Sequence, residues 1–230
     1  MLIGVVAHIH REEMADTLIK KVGADVFVFD HSFPPSPRGC ADNHIRVLQQ
    51  LSMMATKGEW LIVLEDDAQP VENFRREVKG PLRVTGSQLV GLYLGTGSIH
   101  GATQRAIIPA VAAAEAAGAH WIVADWFIST VGYAVASPLL PALIKGISND
   151  GGPVDNRINE WMQGAGVKTW YTYPSLVNHD DDGPSLISAV QVQPPRVAHR
   201  FGTRPIWSSK TIEMGYARGW SPESMAGDVS

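Results

Sequence analysis

Three consecutive acids, Glu65, Asp66 and Asp67, close an aliphatic run in "WLIVLEDDAQP", residues 60 to 70. Like charges so close together repel strongly in a partly buried site unless a cation sits among them. All-oxygen donors favour a hard ion, Mg2+ or Mn2+, which keeps several waters and binds substrate phosphates as well. The plain alternative is a solvated turn after a strand. Two further acids have the setting of a general base. Asp155 opens a helical pattern, where it serves either as an N-cap or as a base, and Asp125 lies between apolar residues beside Trp126, which is costly unless it is paired or at a sheet end. "GPS", residues 183 to 185, offers the Ser185 hydroxyl and backbone N–H groups to a phosphate, or is simply a turn. Asp180, Asp181 and Asp182 read as a solvated acidic loop with a lesser claim on a metal.

Histidines and cations complete the inventory. "AHIHREE" places His8, His10 and Arg11 directly after the first strand. A His-x-His at that point also begins the metal site of barrel hydrolases, but such a barrel needs about eight strand-helix units, more than this pattern supplies. Residues 196 to 220 carry Arg196, His199, Arg200, Arg204, Lys210 and Arg218 against Glu213 alone, among Phe201, Trp207, Tyr216 and Trp220. Such a tail can clamp a diphosphate, bind a nucleic-acid backbone and stack on its bases, or be a solvated arm.

The elements that must position these residues follow from apolar spacing. A strand at Leu2 to Ala7, a helix at Glu12 to Val22 stopped by Gly23, and a strand at Asp25 to Phe29 form an α/β opening. A helix from Ala41 to Thr56 has Ile45, Leu48 and Leu51 on one face, and the strand Trp60 to Leu64 delivers the acids. Further on, the pattern predicts a strand at Gln88 to Leu94 and a helix at Thr103 to Ala117 weakened by Pro109. Extended chain follows at Trp121 to Ala136, then a helix capped by Ser137-Pro138 and running to Ile147, another at Asp155 to Gly164, and a strand at Lys168 to Tyr173. Strands apolar on both faces and joined by helices imply a parallel sheet covered on both sides, whose ligands lie at the strands' carboxyl ends.

The 230 residues, 45% of them hydrophobic, suffice for one domain with a real core. A net charge of −4 gives no global reason to expect nucleic acid or an anionic membrane, although a local patch can still bind one. With Cys40 as the single cysteine and "MLIGVVAH" lacking the features of a signal peptide, the expected compartment is the cytoplasm. The longest apolar stretch, from Ala106, is broken by Glu115 and falls short of the roughly 20 residues of a membrane span.

"LEDDA" after a hydrophobic strand, preceded by "GCADNHIRVL", resembles the GT-A-fold glycosyltransferases, and is most similar to the lipopolysaccharide-biosynthesis and collagen galactosyltransferase family. "GYAVASPLLPALI", "GGPVDNRINEW" and "YPSLVNHDDDGPSLI" occur in the family's order and rough spacing, so the likeness spans most of residues 1 to 190 in patches. Asn43 departs from the serine expected before His44, and the tail after Pro194 matches nothing in the family. The resemblance implies a GT-A-like (Rossmann-like), mostly parallel sheet with helices on both faces, in a transferase domain of residues 1 to 195. Residues 196 to 230 would be a basic arm or lid of the same domain.

It further implies a metal-dependent hexosyltransferase taking a nucleotide diphosphate sugar, a UDP-sugar by expectation. Asp67 and His179 would hold Mn2+ or Mg2+, and Glu65 and Asp66 would bind ribose, donor sugar or metal-bound water. His8, Arg11, Asp30, His44, Ser185 and Arg200 would contact the nucleotide and its phosphates, and Asp155 or its rival Asp125 would deprotonate the acceptor. That acceptor is a hydroxyl on a glycan, or on a 5-hydroxymethylpyrimidine in DNA as with small phage enzymes. Outside this class stand a metal-dependent hydrolase built on His8, His10 and the acids, and a nucleic-acid-binding module without catalysis.

Overall fold

Short apolar runs alternating with amphipathic helices can bury both strand faces only inside a helix-covered sheet. The computed structural model has that form, describing residues 1–97, 101–149, 152–180, 186 and 195–215. β1 (Leu2–His8) passes through a 3-10 turn into α1 (Glu12–Val22) and returns as β2 (Val26–Asp30). α2 (Pro37–Met54) leads to β3 (Trp60–Glu65), and the acids turn directly into β4 (Ala68–Pro70). Two short helices, α3 (Phe74–Glu77) and α4 (Lys79–Leu82), precede β5 (Leu89–Gly91) and α5 (Gly101–Ala117). Then come β6 (Trp121–Ala124), β7 (Gly132–Ala136), α6 (Leu140–Ile147), α7 (Val154–Ala165), β8 (Thr169–Thr172), β9 (Val177–His179) and β10 (Thr211–Glu213).

Eight strands form one sheet in the order β10-β6-β8-β5-β7-β3-β1-β2, and β4 pairs with β9 in a separate two-stranded ladder. β1 is parallel to β2 and β3, and β5 is parallel to β8. The sheet is mostly parallel but mixed, because β7 runs against both β3 and β5, and β6 runs against β8. The single extended stretch expected from Trp121 to Ala136 is two strands, since residues 125–131 leave the sheet between them. Within the one compact domain, Ile3, Val5, Ile62 and Leu64 face α1, α3 and α4, while Val6, Leu61 and Val63 face α2, α6 and α7. α5 packs its Ile107, Ala110 and Ala114 against Ile122, Ala124 and Tyr171.

Local chemistry sets the boundaries. Gly23, at φ 60, ends α1 in the left-handed conformation a helix stop prefers. α2 begins four residues before the expected Ala41, because Ser36 accepts the Gly39 N–H at 3.0 Å and Pro37 occupies the first turn. Gly4 lets α2 press onto β1: a Cβ there would lie 2.4 Å from Val47 Cγ1. Of residues 196 to 230, expected as a basic arm or lid of the same domain, the described part, 196–215, lies along the molecule. β10 pairs with β6, Trp207 is buried against Trp121, and Arg204 donates to the carbonyls of Tyr173 and Ala119. No helix among the described residues is long and apolar enough to cross a membrane.

Candidate functional site

From β1 the chain moves to β2 on one side, and from β2 it crosses back over β1 to β3 on the other. With α1 and α2 on opposite faces, the carboxyl ends of β1 and β3 form the switch point of the sheet, the usual place for a ligand in an open α/β sheet. His8 and Arg11 leave β1 there, Asp30 ends β2 beside His8, and Glu65, Asp66 and Asp67 end β3. The β4-β9 ladder continues directly from these acids. Its register pairs Ala68 with His179, and the Asp180 N–H donates to the Asp67 carbonyl at 2.8 Å.

Asp66, Asp67 and His179 are all buried. Asp67 Oδ2 lies 3.3 Å from His179 Nε2 and 2.5 Å from Arg11 Nη1, which also reaches Asp66 Oδ1 at 3.0 Å. The His8 backbone N–H donates to Asp66 Oδ2 at 2.8 Å. Burial works against the Asp67 charge, yet His179 and Arg11 overcome it and hold this carboxyl below the usual aspartate range. Asp66 goes the other way: burial first, then the Asp67 charge, push it up to about 6 despite the His8 N–H and Arg11. One guanidinium shared by two carboxylates neutralises them unequally. Asp67 Oδ1 is buried with no hydrogen-bond partner among the described residues, an unusual cost for a carboxylate oxygen.

These residues fit a divalent ion. Two donors 3.3 Å apart can share one ion at roughly 2.1 Å from each, and an aspartate with an imidazole suits Mn2+ or Mg2+ at a phosphate site. Asp67 and His179 would hold it, and Asp67 Oδ1, which has no hydrogen-bond partner among the described residues, is a further donor for it.

Behind the acids lies a closed hydrogen-bonded chain. Glu65 Oε1 accepts from Thr130 Oγ1 at 2.6 Å and from His44 Nε2 at 3.1 Å, while the Tyr133 hydroxyl meets His44 Nδ1 at 3.3 Å. A carboxylate only accepts, so the His44 proton sits on Nε2 and Tyr133 donates to Nδ1. His44 is fully buried, so it orients Glu65 from within and does not touch a nucleotide as expected. Cys40, His44 and Glu65 have donor atoms within 4.8 Å of one another, a possible metal cluster. Burial, then Glu65 and Asp155, push the Cys40 thiol well up in the metal-free protein.

Asp155 is not an N-cap: it lies in the first turn of α7, after a Pro153 cap that makes no side-chain bond. Burial first, and the Glu65 charge next after the opposing Asn156 N–H, raise its carboxyl above the usual range, so it shares an electrostatic environment with the acids. Buried Arg157 fixes the helix start by donating to the carbonyls of Gly152 and Ile147, and Asn159 clamps it to the Phe127 backbone. Asp125 is not brought to this site. Because β6 runs antiparallel, its carboxyl end lies at the opposite edge of the sheet, where Asp125 pairs with Lys168 at 3.3 Å. Trp126 is buried in the α5 core.

Asp30 gives one oxygen to the Ser32 N–H and the other to its hydroxyl, both at 2.9 Å, so it shapes the loop after β2. His8 Nδ1 accepts the His10 N–H, which leaves Nε2 to donate to the Ser32 carbonyl at 3.1 Å. That ring is committed to the loop, and the open sheet is not the closed barrel a His8-x-His10 hydrolase needs. Arg200 is exposed at the carboxyl edge, its carbonyl accepting the Ser175 N–H. Arg204 and Lys210 hold the carbonyls of Ala119 and Ala117 at the end of α5. Asp181, Asp182, Ser185 and Arg218 lie outside the described residues.

Thr130, Tyr133 and Ser32, which hold Glu65, His44 and Asp30, were not singled out from the sequence. Hydroxyls in ordinary strand and loop contexts give no periodic or motif signal. No protein-family model matches the chain, and no curated protein matches it.

Proposed function

We propose that the chain is a metal-dependent, GT-A-like glycosyltransferase that moves a hexose from a nucleotide diphosphate sugar, a UDP-sugar by preference, to a hydroxyl acceptor. The observation that carries this reading is the meeting of Asp67 with His179 beside Arg11 at the switch point, with a buried carboxylate oxygen left over. An open, mostly parallel sheet presenting acids at its carboxyl edge suits a GT-A-like architecture.

Breaking the bond between the anomeric carbon and the diphosphate passes through an oxocarbenium-like state, and negative charge grows on the leaving group. A divalent ion held by Asp67 and His179 supplies charge stabilisation there. Arg11, already at the switch point, adds a second cation of fixed geometry for phosphate oxygens. Glu65, its Oε1 pinned by Thr130 and His44, offers its other oxygen to a sugar hydroxyl. Asp155, with a raised proton affinity, is the base for the acceptor hydroxyl. The acceptor is a glycan or a hydroxymethylated base in DNA, and a reduced Cys40 with a nucleotide-sugar donor suits the cytoplasm.

Thermal unfolding with ligands tests the proposal. Mn2+ and UDP together should raise the melting temperature where either alone does little. Asp67→Ala should abolish that joint shift, with circular dichroism of the metal-free variant checking that it is folded, Asp66 still pairing with Arg11. Absence of a shift with every nucleotide sugar would refute the donor class. Donor turnover with and without hydroxymethylated DNA then separates the acceptors.

A further inference from the structure

Arg11 already occupies the place of a cation. Its Nη1 bridges Asp67 Oδ2 at 2.5 Å and Asp66 Oδ1 at 3.0 Å, and its side chain is only 15% exposed. The oxygen it takes on Asp67 is the one that faces His179 Nε2 at 3.3 Å. An ion shared by Asp67 and His179 therefore takes the place of their contact on the same oxygen that Arg11 holds, and at that distance its charge repels the guanidinium. Arg11 ends the 3-10 turn and is the N-cap residue of α1, with φ −119 and ψ 28 and no side-chain capping bond, so its side chain can turn without giving up a helix cap. Asp66 remains as its second anchor.

We propose that Arg11 is an exchangeable counter-ion that couples metal binding to donor binding. It neutralises Asp67 in the metal-free protein, gives up that oxygen when a divalent ion arrives, and, tethered by Asp66, turns its guanidinium to the donor's diphosphate. This rests on the nucleotide-sugar donor proposed above only for its second half. Metal alone must displace Arg11 without giving it a new partner, and so binds weakly. Metal with diphosphate supplies that partner, so each ligand strengthens the other reciprocally.

Binding of Mn2+ alone, followed by calorimetry or by the paramagnetic resonance of free Mn2+, tests the exchange in the wild type, Arg11→Gln and Arg11→Lys, with and without UDP. Arg11→Gln should bind Mn2+ alone about tenfold more tightly than the wild type, and UDP should tighten Mn2+ binding in the wild type far more than in this variant. Arg11→Lys keeps the charge but loses the planar fork, and should fall between the two, which decides the matter if the glutamine variant does not fold. Unchanged or weakened Mn2+ binding in the variants overturns the exchange. Tightened Mn2+ binding with no effect of UDP on any protein leaves the counter-ion standing and removes the nucleotide-sugar donor.

Discussion

Asp155 occupies a position where two influences compete. The first turn of a helix favours a negative charge, and the Asn156 N–H donates to its carboxylate at 3.0 Å. Burial outweighs that help, and Glu65 adds to the upward shift. A base is useful only when deprotonated, so kcat/KM should fall toward low pH, with the acidic limb set above the roughly 3.9 of a free aspartate. Asp155→Asn should lower turnover by about 100- to 10,000-fold and leave Mn2+-dependent UDP binding intact. A variant that keeps both turnover and the acidic limb would remove Asp155 from the chemistry. At this scale the sequence announced donors well and partners poorly. Asp67 and His179 stand out as acids and a histidine after strands, but Arg11's shared bond to two carboxylates depends on how β1 and β3 lie side by side. Asp125 had the same local pattern as a buried catalytic acid, and only the direction of β6 sends it to the far edge.

Among the elements, those with start and stop chemistry were legible. α1 runs over Glu12–Val22 as expected, because its amphipathic period ends on a left-handed glycine. β4, β9 and β10 have three residues each, too few for a periodic signal, yet β4 and β9 place His179 on Asp67. β10 is held by what surrounds it. Trp207 packs at 5.7 Å from Trp121 and 6.0 Å from His120, and Lys210 reaches back to the end of α5. Trp207→Ala should therefore cost about 3–5 kcal/mol, the range for truncating a buried aromatic. Urea unfolding would measure this as a lower midpoint, and a loss below about 1 kcal/mol would mean that the segment is a loosely docked arm after all.

For the molecule as a whole, net charge conceals the electrostatics that matter. A total of −4 is mild, but Glu65, Asp66 and Asp67 concentrate negative charge at the end of β3, where Asp66 and Asp67 are buried. Functional sites commonly trade stability for such an arrangement, and here the trade should be visible as a pH dependence. The folded Asp66 takes up its proton at about 6, against roughly 3.9 in the unfolded chain. Below pH 4 both states are protonated and the fold bears no cost. As pH rises toward 6 the unfolded chain has released its proton while the native state retains it, so stability falls, and above 6 the native state bears the full cost of the buried charge. Two units correspond to a loss on the order of 3 kcal/mol for the metal-free protein. Asp67, held below the usual range, stabilises in the opposite sense, but its contribution is complete above about pH 4 and does not overlap this window. Asp155 slopes the same way as Asp66, so the difference between variant and wild type isolates the residue. Asp66→Asn keeps an acceptor for the His8 N–H but has no charge to bury. Its melting temperature relative to wild type should rise steadily from pH 4 to pH 6 and then level off. A constant offset across that range would show that another group, and not Asp66, carries the native proton.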